Sequence, residues 1–302
     1  MNTSQPLISV LIPSYNHQHY IRETVESIRS QPYQNIEIVI VDDCSTDDSR
    51  KVLEQLTRES GAPIRLYFNE ENRGVVPTIN AALKHAQGEL VVLFASDDLF
   101  CADRFEAQLT LFAKNPDLKI VYANGRVLKD GEKGRQLHDA RIWELLCKTP
   151  DDIRRYLYTH TSPLFLQTAL IKRSLLLAVG GFDETALADD WLLNAGFFSH
   201  MHSNHEYAYV DRDVVLYRHH DANIHRDFTR QSRLKLEFIE RFTPGELKPE
   251  GFSNIHYDLA RLALKNNLNK IALKHFFASQ KSQFRMKHMK FITKFLRQLA
   301  GS

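Results

Sequence analysis

The sequence predicts an α/β fold, a doubly wound and mostly parallel sheet followed by a helical C-terminal extension. Short apolar runs alternate with amphipathic helical stretches through the first hundred residues, the signature of strand–helix–strand units with right-handed crossovers. Polar side chains gather where each apolar run stops. From about Phe228 onward only helical periodicity remains.

The elements follow in order. Residues 8–12 form a buried strand ending at Pro13, and Ile21, Val25 and Ile28, spaced i, i+4, i+7, mark the next helix. Residues 37–41 form a second strand, stopped by Asp42 and Asp43. Ser45 and Thr46 are caps for a helix whose apolar face is Val52, Leu53 and Leu56. Ile64 to Phe68 is a third strand. Val76, Ile79, Leu83 and Ala86 mark a helix stopped by Gly88, and residues 90–94 make the fourth strand. A helix over 104–114 and a strand over 119–123 extend the sheet, and 130–135, with Gly131 and Gly134, reads as a hairpin or loop. Residues 150–158 and 170–178 read as helices, the second stopped by Gly180-Gly181. A further helix over 188–198 opens with Asp189-Asp190-Trp191, and 207–210 and 214–217 are short strands.

With 302 residues, 43% hydrophobic and 25% charged, the chain has room for one large α/β domain and an appendage. The expected division is 1–225 and 226–302. Three widely spaced cysteines without a CxxC pair argue against a disulfide framework or a thiolate zinc site and suit a reducing cytosol. The N-terminus shows no signal-peptide pattern, and no run approaches the ~20 apolar residues of a membrane span, so a cytoplasmic location is expected. The net charge of +2 hides an asymmetry. Residues 259–302 hold ten Lys/Arg and no acid, so the preceding 258 residues carry 29 basic and 37 acidic side chains.

Four strand ends fall on one edge of the predicted sheet, and there Tyr15, Asn16, Asp42, Asp43, residues 69–73 and Ser96 to Asp98 converge. Ligands of open α/β sheets bind at such an edge. Asp97 and Asp98, adjacent at a strand tip, repel unless a cation joins them; a hard divalent ion carrying a diphosphate is the natural partner. Alone, the pair is also compatible with an acidic surface turn; the convergence argues for the ligand site.

Five ordered segments give the first 225 residues a resemblance to glycosyltransferase family 2, inverting nucleotide-sugar enzymes of GT-A fold. They are Ser9-Val-Leu-Ile-Pro-Ser-Tyr-Asn16, Ile40-Val-Asp-Asp-Cys-Ser-Thr-Asp47, Asn69-Glu-Glu-Asn-Arg-Gly74 with Asn80, Ser96-Asp97-Asp98 and Asp189-Asp190-Trp191. The resemblance implies a role for each position. Pro13 and Tyr15 hold the nucleotide base. Asp42 and Asp43 stand where a carboxylate accepts from the base or ribose, Asp43 being the preferred base contact and Asp42 either sharing that role or only bracing the turn; Arg73 lies against base or phosphate, with Gly74 permitting close backbone approach. Ser96-Asp97-Asp98 matches the family's DxD element with its first carboxylate replaced by Ser96. Asp98 then binds the metal and Asp97 the ribose or sugar. Tyr217-Arg218-His219-His220 with Asn223 resembles a late segment that folds over the diphosphate, giving Arg218 as a charge-neutralising group and His220 as a second metal ligand for Mn²⁺ or Mg²⁺. Asp190 is the implied base, with Asp189 as fallback.

The resemblance implies transfer of one sugar from a nucleotide sugar, UDP-linked by preference, to a glycan or lipid-linked acceptor in bacterial surface-polysaccharide (O-antigen or capsule) assembly. Alternatives on the same fold are a polyprenyl-phosphate hexosyltransferase and a non-catalytic sugar-nucleotide-binding protein. Lack of membrane spans and of a Gln-x-x-Arg-Trp segment argues against a processive synthase, and Pro-Ser-Tyr-Asn is unlike the phosphate loop of a nucleotidyltransferase. Near the C-terminus, Phe284, Phe291, Ile292, Phe295, Leu296 and Leu299 interleave with five basic residues. Such a helix suits an anionic membrane surface, at the cytoplasmic face of an inner membrane, or else packs on its own domain or on a partner. Nucleic acid is not expected, because the acidic body repels a phosphate backbone.

Overall fold

The computed structural model describes residues 5–59, 61, 63–186, 189–219, 228–282, 291, 292 and 295, the Asp189 side chain lying outside the description. The expected boundary at residue 225 also lies outside it.

The first half alternates as expected: β1 (Ile8–Ser14), α1 (Ile21–Arg29), β2 (Ile36–Asp42), α2 (Ser49–Arg58), β3 (Ile64–Phe68), α3 (Val75–His85) and β4 (Leu90–Leu93). These four strands are parallel in the order β3-β2-β1-β4. Strand periodicity explains the two cores. Leu11, Val39, Val41, Val91 and Leu93 face one side, packed on Val76, Ile79 and Leu83 of α3. Ile8, Val10, Ile12, Ile38 and Ile40 face the other, packed on α1 and α2. Both faces are covered, so these strands read as unbroken apolar runs.

Beyond β4 the sheet becomes mixed. After β5 (Leu99–Phe100) and α4 (Glu106–Lys114) come β6 (Ile120–Lys129) and β7 (Glu132–Gln136), a hairpin turning through Asp130 and Gly131, both at positive φ. Then follow α5 (Arg141–Leu146), α6 (Pro150–Thr159), β8 (Leu170–Lys172), α7 (Arg173–Ala178), α8 (Asp189–Ser199) and β9 (Tyr207–Arg218). The order continues β4-β8-β6-β9-β5, with β6 parallel to β9 and antiparallel to β8.

Two expectations change here. The helix expected over 170–178 begins as strand: Leu170 and Ile171 are fully buried and bridge β4 to β6, a slot a helix could not pair. The two strands expected over 207–217 are one, β9, whose register shifts around Asp211 and Arg212 create the apparent gap.

The extension is α9 (Phe228–Phe242), α10 (Lys248–Lys265) and α11 (Asn269–Ser282). It packs on the sheet-bearing part rather than hanging from it. Trp191 of α8 stacks on Phe238 of α9 at 3.8 Å, within a cluster holding Ile239, Ile255 and Leu259. Asn254 Nδ2 donates to the Thr159 carbonyl at 3.1 Å and Thr243 Oγ1 to that of Tyr158 at 2.8 Å. Phe291, one of the aromatics expected to face a membrane, is buried instead, stacked on Phe276 of α11 at 4.6 Å. Among the described residues no helix is long and apolar enough to cross a membrane.

Candidate active site

The C-terminal tips of β1, β2 and β4 form one edge, and the backbone there is held in unusual conformations. Asn16 (φ 52°) and Cys44 (φ 60°) are left-handed just beyond β1 and β2. Side-chain hydrogen bonds fix them: Thr46 N–H donates to Asn16 Oδ1 at 2.8 Å, and Asn16 N–H to Ser45 Oγ at 3.0 Å. Pro13 lies in β1 beside Val41, and Tyr15 stands exposed at its tip.

The two β2 acids are tied into their own chain. Asp42, fully buried, accepts from Ser45 N–H at 3.0 Å and from Arg50 Nε at 2.9 Å. These bonds tie the turn after β2 to the start of α2. Asp43 accepts from Asn69 Nδ2 (2.8 Å) and Arg73 N–H (2.9 Å) on Oδ1, and from Gly74 N–H (2.7 Å) on Oδ2. It therefore presents the 69–74 loop, with the Arg73 side chain exposed to solvent. Gly74 suits its conformation, φ 88°, and a Cβ there would meet no protein atom within 4 Å.

The β4 acids are held differently. Thr24 Oγ1 of α1 donates to the carbonyls of Ser96 (3.1 Å) and Asp98 (2.8 Å), pinning the turn, and Ser96 Oγ meets His17 Nδ1 at 2.6 Å. Asp98 is 0% exposed. Its Oδ1 accepts from Arg218 N–H at 2.7 Å, while its Oδ2 is buried without a hydrogen-bond partner. Burial, then the neighbouring Asp97 charge, raises the Asp98 carboxyl well above the ordinary carboxylate range. The Gln167 amide offsets part of this without hydrogen-bonding Oδ2. Arg218 at the end of β9 donates from Nε to the Asp97 carbonyl (2.8 Å), pairs with Glu23 (2.6 Å) and covers the Tyr20 ring at 5.2 Å.

Asp190 opens α8, where Trp191 and Asn194 anchor the helix. Asn194 accepts from the Tyr122 hydroxyl at 2.6 Å and donates to the Asp190 carbonyl at 2.8 Å. The Asp190 side chain is exposed. Burial raises the Tyr217 hydroxyl, and the charges of Asp98, Asp97 and Asp190 all add to it. One phenol thus lies within the electrostatic reach of all three acids.

An orphaned, fully buried carboxylate oxygen beside a second carboxylate fits a hard cation with oxygen ligands. Among the described residues no three His, Cys, Asp or Glu side chains form a metal cage; His220 and Asn223 lie outside them. Sequence reasoning missed Thr24, Glu23, His17 and Gln167. Thr24 had a signal, since it interrupts the apolar stripe of Ile21, Val25 and Ile28 and so must satisfy a buried hydroxyl. The others meet the site only through long-range folding.

Comparison with known proteins bears on the family and the fold. Over 125 residues the chain is 35% identical to Escherichia coli WfgD, described as a UDP-Glc:alpha-D-GlcNAc-diphosphoundecaprenol beta-1,3-glucosyltransferase, covering 41% of this chain and 47% of WfgD. The matched stretch spans about half the length of the first such relatives. The mannosyltransferase PcManGT of Pyrobaculum calidifontis, in complex with GDP-Man and Mn²⁺, superposes with a TM-score of 0.64 at 20% identity, covering 98% of this chain and 81% of its own. S. aureus TarS 1-349 with UDP-GlcNAc gives 0.57 at 20% identity, covering 84% and 81%. These likenesses show the GT-A fold. The family model for glycosyl transferase family 2 matches residues 9–178, from β1 to the end of α7, and the chain belongs to that family.

Proposed function

We propose that this protein transfers one sugar, with inversion, from a UDP-linked donor to a hydroxyl of a glycan or lipid-linked acceptor in bacterial surface-polysaccharide assembly. The observation that carries this reading is the Asp98 carboxyl, buried at a strand tip with one oxygen unpartnered and Arg218 alongside. Supporting it, the name of WfgD gives UDP-Glc as its donor and a diphosphoundecaprenol-linked sugar as its acceptor, and TarS was captured with UDP-GlcNAc.

Pro13 and Tyr15 receive the base. Asp43 has an acceptor position left on Oδ2 for a base N–H or a ribose hydroxyl, and Arg73, whose backbone N–H it holds, contacts base or phosphate. Ser96 and Asp97 line the ribose and sugar side. When bound, a divalent cation (Mn²⁺ or Mg²⁺) supplies charge neutralisation at the diphosphate, and Asp98 and His220 are the residues that would hold it. Asp190 removes the proton from the acceptor hydroxyl as that oxygen attacks the anomeric carbon. Attack comes from the face opposite the leaving diphosphate, so the bond to UDP breaks as the new glycosidic bond forms. Arg218 stabilises the negative charge growing on the departing group. One displacement inverts the anomeric centre.

The test is UDP release from UDP-Glc, UDP-Gal, UDP-GlcNAc and UDP-GalNAc with added Mn²⁺, with and without a polyprenyl-diphosphate sugar. Acceptor-dependent release from one donor, with an inverted product by NMR, is expected. Donor binding without release in any combination would leave only a sugar-nucleotide-binding protein, and transfer to polyprenyl phosphate itself would replace the acceptor assignment.

A further inference from the structure

The basic C-terminal region is not used by the transfer chemistry, and its exposed apolar residues need an explanation. Lys270, Lys274, Phe277 and Lys281 recur on α11 at i, i+4, i+7 and i+11, so they share one face. All four are exposed, while Ala272, Phe276 and Ser279 on the opposite face are buried against α10 and Phe291. Phe277 is 61% exposed, more than any other large apolar side chain described, and Ile271 borders the same face at 38%. Among the described residues the three lysines have no carboxylate partner, and residues 259–302 contain no acid.

We infer that this outward face of α11 docks the protein on an anionic lipid bilayer, the lysines meeting headgroups and Phe277 entering the interface. Charge complementarity favours this occupant. The first 258 residues carry eight more acids than bases, so the α11 face is a local cationic patch on an acidic body. A second copy docked on the same face would set lysines against lysines. A nucleic acid would satisfy the lysines, but would be repelled by the acidic body and leave Phe277 without an apolar medium. Phe291, in the segment where sequence alone put the contact, is buried against Phe276 and so backs α11 from behind.

The inference deepens the lipid-linked-acceptor reading, yet is tested without any acceptor, so the two can fail separately. The full chain is floated with phosphatidylcholine vesicles containing or lacking phosphatidylglycerol. Binding to the anionic vesicles alone is expected. Lys270→Gln/Lys274→Gln/Lys281→Gln should weaken it by about 10²-fold, and Phe277→Ser by about tenfold, with thermal stability and UDP release retained. Equal flotation of wild type and both variants would overturn the assignment. So would wild-type binding to heparin or DNA that matches vesicle binding and ignores Phe277→Ser, or a dimer in light scattering that either variant dissociates.

Discussion

Two pairs of adjacent aspartates sit at the tips of the two parallel strands that flank β1, and the chain treats them in opposite ways. Asp42 and Asp43 spend their oxygens on Ser45, Arg50, Asn69 and the backbone N–H groups of Arg73 and Gly74. Asp98 is equally buried but takes one N–H, from Arg218, and leaves Oδ2 with none. A satisfied carboxylate stabilises the fold; an unsatisfied one costs stability and is retained for what it binds. The difference lies in the hydrogen-bond partners that the surrounding chain supplies, near ones for Asp42 and more distant ones for Asp43 and Asp98, and not in the two acid pairs themselves.

The largest effect that separates the pairs is expected at Asp98. Asp98→Asn keeps an acceptor for the Arg218 N–H and removes the buried charge. Transfer should fall by about 10³-fold, while the chelator-treated, donor-free protein gains stability, because a desolvated, unpaired carboxylate is removed. Activity assays and thermal scans on the same preparation check both; a loss of stability would show that Asp98 belongs with Asp42 and Asp43.

Asp190 comes next. Its carboxyl is exposed, and its charge, like those of Asp97 and Asp98, acts on the Tyr217 hydroxyl. Asp190→Asn should cut turnover by about 10²-fold with donor affinity nearly unchanged, as read from initial rates and from calorimetry with UDP. Ordinary turnover in that variant would remove it from the mechanism.

Asp43→Ala should behave in the opposite sense to Asp98→Asn. Three donors, Asn69 Nδ2 and the N–H groups of Arg73 and Gly74, lose their acceptor. Stability should fall by about 2 kcal/mol, with a weakened donor affinity because Arg73 is no longer presented. Denaturant titration separates these two consequences.

Most of the architecture was legible because it rests on local patterning. The four parallel strands, α1 to α3 and the hairpin at Asp130 and Gly131 follow from apolar spacing and turn chemistry. What failed was decided by partners far along the chain. Leu170 and Ile171 look helical beside residues 173–178, and only the slot between β4 and β6 makes them strand. In the site, sequence located the acids, but could not say which were already satisfied. That depended on Arg218, 120 residues from Asp98, and on Asn69, 26 from Asp43.

The smallest effect is the pH dependence of stability, and it compares Asp98 with a buried group that is fully partnered. His138 donates from Nδ1 to the Ala123 carbonyl at 2.8 Å and accepts the Phe165 N–H on Nε2 at 3.2 Å, and burial drives it down to about 4. Between that value and the ordinary 6.5 the unfolded chain binds the extra proton, so this histidine makes stability rise with pH, by about 1 kcal/mol from pH 5.5 to 6.5. Asp98 acts with the opposite sign. Its carboxyl is raised, so the native state holds the extra proton above the ordinary carboxylate range, and stability falls as pH climbs through that window. In wild type the two slopes oppose each other; Asp98→Asn removes only the falling one. Thermal scans in chelator should therefore climb more steeply with pH in the variant than in the parent, and coincident slopes would mean that the Asp98 carboxyl is not raised by its surroundings.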